Sequence, residues 1–313
     1  MAPDFELPRT ALIRPQEGVA TTYRSISKRV IASLHTALHI SPVRPYIVRM
    51  SAVEDPLVDP APSEVPLKKA PLVRVIAQMR FPLVIAVEQP DFIAPFQKSI
   101  QQKYPVLRQE QAQGVLLGPA GVSQVPPQTA WRFADVEGHW RVSLTQNFLA
   151  LETTKYTSRS DFLARLSEVV TPLDALIQPK LLDRIGIRYI DRISGPDLGD
   201  IADLVRPEVR GIAGSPAASH AVHSLSESLF EIDGARVLGR WGRLPAGGTV
   251  DPAAIEPIDE PSWILDLDMF SSSPMPFSSD RVVSDASRFA ERIYTLFRWA
   301  VTPTFLQRYG GQP

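Results

Sequence analysis

The sequence predicts an α+β fold: a mainly antiparallel, curved sheet made of two β-α-β-β-β-α repeats, with helices packed on one face. Three observations predict it. Stretches such as Leu72–Phe81, Lys180–Ser194 and Trp263–Phe270 alternate apolar and polar residues with the period of two that a half-buried strand requires. Turn signals at Glu137-Gly138 and Asp233-Gly234 separate further strand-like runs and so imply antiparallel hairpins. Two helical patterns, one carrying Phe162, Leu166, Val169 and Val170 and the other Val282, Ala286, Phe289, Ile293 and Phe297, supply apolar stripes to cover one face of the sheet.

The elements follow in order. Residues 1–69 hold nine of the 30 prolines and few periodic apolar positions, so they are expected to form a disordered or weakly structured extension. Within it, Thr21–Ile40 can form a basic amphipathic helix, and Met50 reads as an alternative start. From Ala70 the pattern is regular. Leu72–Phe81 is a strand ended by Pro82, and Asp91–Lys103 a helix with Pro95 near its first turn. Val106–Leu117 is a strand, followed by a Gly/Pro loop through Gly118, Pro119, Gly121, Pro126 and Pro127. Trp131–Val136 and Trp140–Thr153 form a hairpin, and Ser158 or Ser160 caps the next helix. The first repeat spans 70–178 and the second 179–313, as one structural unit.

The second repeat begins with Lys180–Ser194. On this strand Leu181, Ile185, Ile187, Tyr189 and Ile193 share a face with Asp183 and Asp191, while Arg184, Arg188 and Arg192 line the other. A short helix near Asp200–Arg206 follows. His220–Ile232 and Arg236–Leu244 then form a hairpin, and Pro245–Ser262 a long acidic loop. Trp263–Phe270 is a strand and Asp280–Val301 a helix. Local words recur in the same order: Trp140–Leu144 matches Trp263–Leu267, Phe162–Leu166 matches Phe289–Ile293, and both helices run into Thr-Pro, at Thr171-Pro172 and Thr302-Pro303. These words predict that Trp140 superposes on Trp263.

Composition narrows the function. In 313 residues, 44% are hydrophobic and 21% charged, the balance of an ordinary globular chain. The formal net charge of -1 weighs against nucleic acid. Without cysteine there are no disulfides, thiolate zinc sites or cysteine nucleophiles. No apolar run approaches the roughly 18 residues that span a bilayer, and a cytoplasmic protein without membrane attachment is expected.

The chemistry-bearing residues converge on the sheet face opposite the helices. Arg80, Arg141, Arg184, Arg188 and Arg192 are candidates for holding a phosphate or carboxylate, because guanidinium forks bind both bidentately. The competing expectation is that they pair with Asp266, Asp268 or Glu227 across the sheet. Asp266-Leu-Asp268 puts two carboxylates on one strand face, as a divalent metal would need, but no third carboxylate accompanies them. His220 and His223 fall on opposite faces if they lie in a strand. Ser224, Ser226 and Ser228 lack a nucleophile elbow and a base. Lys155 is a ligand contact candidate, and Tyr156 is expected to pack over a helix start. There is no phosphate-cradling glycine loop or zinc motif, and no cofactor is expected.

The words APLVRVIAQMRFP, WRF, LETTKYTSRSDF, RIGIRYIDRI and WILDLDMF, spread over about 240 residues from Ala70, give a resemblance to the sporadically distributed bacterial TIGR04255 family, which has no established activity. RIGIRYIDRI is the most specific of them; the family more often has Asn where this chain has Asp191. The resemblance implies the fold and its boundaries and brings no activity with it. The duplicated sheet is also similar to TATA-binding-protein and helix-grip arrangements, by analogy alone. Two functions are therefore weighed. One is a non-enzymatic binding or accessory protein that presents its charged sheet face to a partner protein or an anionic small ligand, in a defence or toxin–antitoxin setting. The other is an enzyme for a phosphorylated or nucleotide substrate, with arginine clamps and Asp266 and Asp268 on a metal.

Overall fold

A computed structural model describes residues 54–118 and 121–312. The expected Thr21–Ile40 helix and the Met50 start lie outside the described residues. The first part of the chain forms β1 (Leu72–Arg80), α1 (Pro90–Ile100), β2 (Val106–Gly118), β3 (Gly121–Ala134), β4 (Trp140–Leu144), β5 (Phe148–Thr153) and α2 (Arg159–Pro172). Then come β6 (Leu181–Leu182), β7 (Arg184–Ser194), the short helices α3 (Ile201–Leu204) and α4 (Pro207–Arg210), β8 (Ser224–Ile232) and β9 (Ala235–Leu244). The chain closes with β10 (Ser262–Ser271), β11 (Met275–Pro276), α5 (Ser279–Ala300) and α6 (Pro303–Arg308).

Among the described residues, nine strands form one antiparallel sheet in the order β2-β3-β4-β5-β1-β7-β10-β9-β8. The fold is thus α+β with a large antiparallel sheet. β7 lies between β1 and β10, with Ala77 opposite Ile187 and Asp266 opposite Ile190. Helices α2 and α5 pack together, and α5 lies on β7 and β10. Alternation sends Val75, Ala77 and Met79 of β1, Ile185 and Ile187 of β7, and Leu265, Leu267 and Met269 of β10 into the core with Phe162 and Phe289. The N-terminus of α2 is capped as expected: the Asp161 N–H donates to Ser158 Oγ at 3.1 Å. The hairpin turn between β8 and β9 is set by positive φ at Asp233 (46°) and Gly234 (71°), the backbone that two-residue hairpin loops need.

Several expectations change. The Gly/Pro loop expected near Pro126 and Pro127 is part of β3. β4 pairs with β3 only over Trp131–Ala134, so the prolines sit where β3 has β2 alone as neighbour, and a missing amide donor there breaks no second ladder. Trp140–Thr153 is two strands, turned at Thr145–Asn147. Pro95 falls inside α1, while Pro90 takes the first turn. The strand expected over Lys180–Ser194 breaks at Asp183: Leu181–Leu182 pairs with Met275–Pro276 in a separate small sheet. Trp140 and Trp263 do not stand at matching places. Trp263 is on β10, beside β7, whereas Trp140 is on β4, one strand removed from β1.

The sheet face that carries the arginines, expected to be polar, also holds a small second core. Ile190 and Ile264 are covered by Ala254 and Ile255 of the loop between β9 and β10. The extension expected over 1–69 is also ordered in its last part. Arg292 of α5 donates to the carbonyls of Pro56 and Asp59 (3.1 and 2.7 Å), Tyr294 Oη accepts from the Val65 N–H (2.8 Å), and the Lys69 N–H donates to Tyr309 O (3.1 Å). Backbone groups in this strap find partners on α5, which is why it holds its place without helix or strand of its own.

Candidate functional site: a paired charged face and a cavity behind it

The open sheet face gathers the arginines the sequence points to. Arg188 extends from β7 across β10 and donates from Nε and Nη2 to both oxygens of Asp266 (2.7 and 2.8 Å), and from Nη1 to Asp251 (2.6 Å). Burial works against its charge, but the two carboxylates outweigh it and raise the Arg188 guanidinium above its usual value. Arg240 approaches Asp266 at 3.6 Å and pairs with Glu227 at 2.6 Å. Asp266, whose whole residue is 1% exposed, therefore serves two guanidiniums. A divalent cation at Asp266 would have to displace both.

Farther along the first part of the sheet, Glu152 accepts from Arg74 (2.9 Å) and from Arg141, while Arg132 donates to Glu110 (2.8 Å) and Ser143 (2.7 Å). Arg74, Glu110, Arg132, Arg141 and Glu152 line a cleft of about 450 Å³ with His139 and Glu256. Burial opposes the Arg141 charge, and the Glu152 hydrogen bond more than restores it.

Arg80, Arg184 and Arg192 behave differently. Arg184 donates to Asp268 at 2.7 Å and lies 4.3 Å above the Phe270 ring. Gly186 gives it room: a Cβ there would stand 2.8 Å from Arg184 Nη1. Arg80 is exposed and sits directly opposite Arg184 in the β1–β7 register. Its Nε bonds to Gln78 (3.2 Å), and among the described residues no carboxylate pairs with it. Although the residue as a whole is exposed, partial desolvation of the guanidinium and then the Arg184 charge lower Arg80 from its usual value, with Asp268 working the other way. Desolvation raises the Asp268 carboxyl in spite of Arg184 and Arg188. Arg192 has Nε and Nη2 buried with no hydrogen-bond partner among the described residues, and desolvation lowers it.

Behind the sheet lies a site the candidate residues did not include. A cavity of about 450 Å³ opens between α5, the end of β7, the strap around Val65–Lys69 and the segment after β5. Tyr189 and Asp191 of β7 both reach it, since they share the helix-side face. Tyr156 packs edge-on against Tyr189 (centroids 5.5 Å) and near Phe162 (6.2 Å), over the start of α2 as expected. Asp191 is 7% exposed and makes no side-chain hydrogen bond among the described residues. Desolvation alone pushes its carboxyl up to about 7. The signal was visible in the sequence, where Asp191, like Asp183, falls on an otherwise apolar strand face.

The remaining candidates stay apart. His220 ends a short 3-10 turn and His223 lies beyond it, both exposed. Among the described residues no group of three His, Asp or Glu side chains comes together as a metal site, and no helix is long and apolar enough to cross a membrane. No protein-family model matches the chain, and no curated protein matches it significantly.

Proposed function

We propose that this chain is a non-enzymatic binding protein whose open sheet face receives an anionic group, carboxylate or phosphate, from a partner protein or small ligand. One observation carries the reading. Arg80 and Arg184 stand directly opposite each other on neighbouring strands, and of the two only Arg184 is paired with a carboxylate, Asp268, among the described residues. Like charges placed so destabilise a sheet, and an added anion removes that cost while satisfying guanidinium donors left over. Elsewhere on the face Arg188, Arg240, Arg74, Arg141 and Arg132 are matched by acids, while Arg192 and Arg108, the latter opposite Arg132, are further guanidiniums without a paired carboxylate among the described residues. The enzyme alternative, with Asp266 and Asp268 on a metal, gains no support from side chains already engaged by arginines.

The test is titration of the full chain with inorganic phosphate and with acetate, followed by amide chemical shifts near Arg80. Binding by the natural protein and its loss in Arg80→Ala with an unchanged melting curve is the expected outcome. No shift at Arg80 with either anion rejects the reading.

The finer architecture belongs to the same proposal. We infer two related β-x-β-β-β-α units, supported by strand orders that run outward alike from the centre, β1-β5-β4-β3 and β7-β10-β9-β8, each followed in sequence by a helix on the same face. β2 has no counterpart, so the second unit is shorter by a strand. The TIGR04255 resemblance and a bacterial source are carried as part of this reading, supported by RIGIRYIDRI and WILDLDMF, and a cytoplasmic location is carried with them, supported by the cysteine-free composition.

A further inference from the structure

The cavity behind β7 calls for a separate account, because it combines three things that packing alone does not require. It is roomy, at about 450 Å³, within the range of small-ligand sites. Its walls include the rings of Tyr156, Tyr189, Tyr294 and Phe297. Into it faces Asp191, more than nine-tenths buried and without a hydrogen-bond partner among the described residues. A core position that only filled space would carry an apolar residue, as Ile187 and Ile193 do on the same strand face. A carboxylate kept in such surroundings without a partner is costly. Aromatic rings offer negative faces to a cation, and a carboxylate offers it two acceptors.

The mouth has the opposite character. Lys68, Lys69 and Lys155 line the opening and are exposed. Arg159, also on the wall, is already paired with Glu64. A simple cation would meet repulsion on entry, whereas a molecule with an anionic end would leave that end at the lysines.

We propose that this cavity is a binding site for a small zwitterion with an apolar middle, its ammonium seated on Asp191 among the aromatic rings and its anionic end held at Lys155 and its neighbours. The site lies on the opposite side of the sheet from Arg80 and Arg184, so it stands or falls independently of the anion-binding reading.

The experiment is calorimetric titration of the full chain with ε-aminocaproate, with hexylamine and caproate as single-charge controls. The zwitterion should bind more tightly than either control. Asp191→Asn keeps the shape of the site and should weaken ε-aminocaproate by about tenfold or more, the worth of a hydrogen bond to a charged group. Lys155→Glu, at an exposed position, should weaken ε-aminocaproate and spare hexylamine. Together these results support the site. Absence of binding by both amines, caproate binding as tightly as the zwitterion, or unchanged affinity in Asp191→Asn overturns it.

Discussion

Asp266 and Asp191 are two buried aspartates on adjacent strands, and they are handled in opposite ways. Asp266 faces the open side of the sheet, 1% exposed, with Arg188 on both of its oxygens and Arg240 nearby. Asp191 faces the helices, 7% exposed, with aromatic rings and a cavity for company. Burial is nearly the same, so burial alone does not distinguish them. The presence of a guanidinium does: one acid is part of a neutralised lattice, and the other is held near the point of protonation. A strand with two faces can thus carry charge as scaffold on one side and keep charge in reserve on the other.

The sharpest break of this comparison is Arg188→Ala. It leaves Asp266 and Asp251 without their main partner, and removal of one member of a buried pair costs about 3–5 kcal/mol. Denaturant unfolding measures it. Adding Asp266→Ala should recover much of the loss; if the double variant is as unstable as the single, the pairing is not what holds that face. On the other face of the same strand, Ile187→Ala should cost about 2–5 kcal/mol, the price of a cavity in a packed core. A smaller loss by the same measurement would mean that α5 closes over the gap.

Asp191 predicts a dependence on pH. Its folded-state value of about 7 lies above the ordinary 3.8, so between those values the folded chain holds a proton that the unfolded chain releases. Stability from this group is therefore full in acid and is lost as pH rises through about 7, by at most about 4 kcal/mol. Lys68, Lys69, Lys155, Arg159 and Glu64 line the cavity; burial raises the Tyr309 hydroxyl near the carboxyl, and Asp268 is also raised by desolvation and slopes the same way as Asp191. Melting temperatures of the natural chain and Asp191→Asn, compared from pH 5 to 8, isolate the Asp191 part. Equal slopes would show that the carboxyl is ionised throughout. The least effect is expected from Glu227→Ala, which removes the exposed partner of Arg240 and should change stability by about 0.2–1 kcal/mol in a double-mutant cycle.

Much of this arrangement was legible in the sequence. Period-two alternation placed Ile185 and Ile187 inward and Arg184 and Arg188 outward, and the Asp233-Gly234 turn and the Ser158 cap followed from residue chemistry. What escaped is what alternation does not encode. Ile190 and Ile264 fall on the charged face by parity, and only the returning loop with Ala254 and Ile255 makes them a core. Pro126 and Pro127 suggested a loop because strand order, which leaves them beside β2 alone, is not a local property. The strap beside α5 has no period at all, since its order comes from Arg292, Tyr294 and Arg298 reaching its carbonyls. The matched Trp words suggested equivalent strands, though the two tryptophans lie at different distances from the centre of the sheet.

The pairing of β1 with β7 at the middle of the sheet has a kinetic consequence. Every other neighbouring pair except β1–β5 and β7–β10 joins strands consecutive in the chain, so hairpins can form from local encounters. The middle seam instead brings Ala77 to Ile187, positions about 110 residues apart, and such closures slow folding because chain entropy is lost before contacts repay it. Refolding is expected on the slow side for a domain of this size, with Ala77→Gly and Ile187→Val at the seam as the variants that report, in stopped-flow measurements, whether that closure precedes or follows the rate-limiting barrier. A chain severed between α2 and β7 would leave each fragment with an unpaired strand edge where the other belongs, a template for self-association until the two fragments meet.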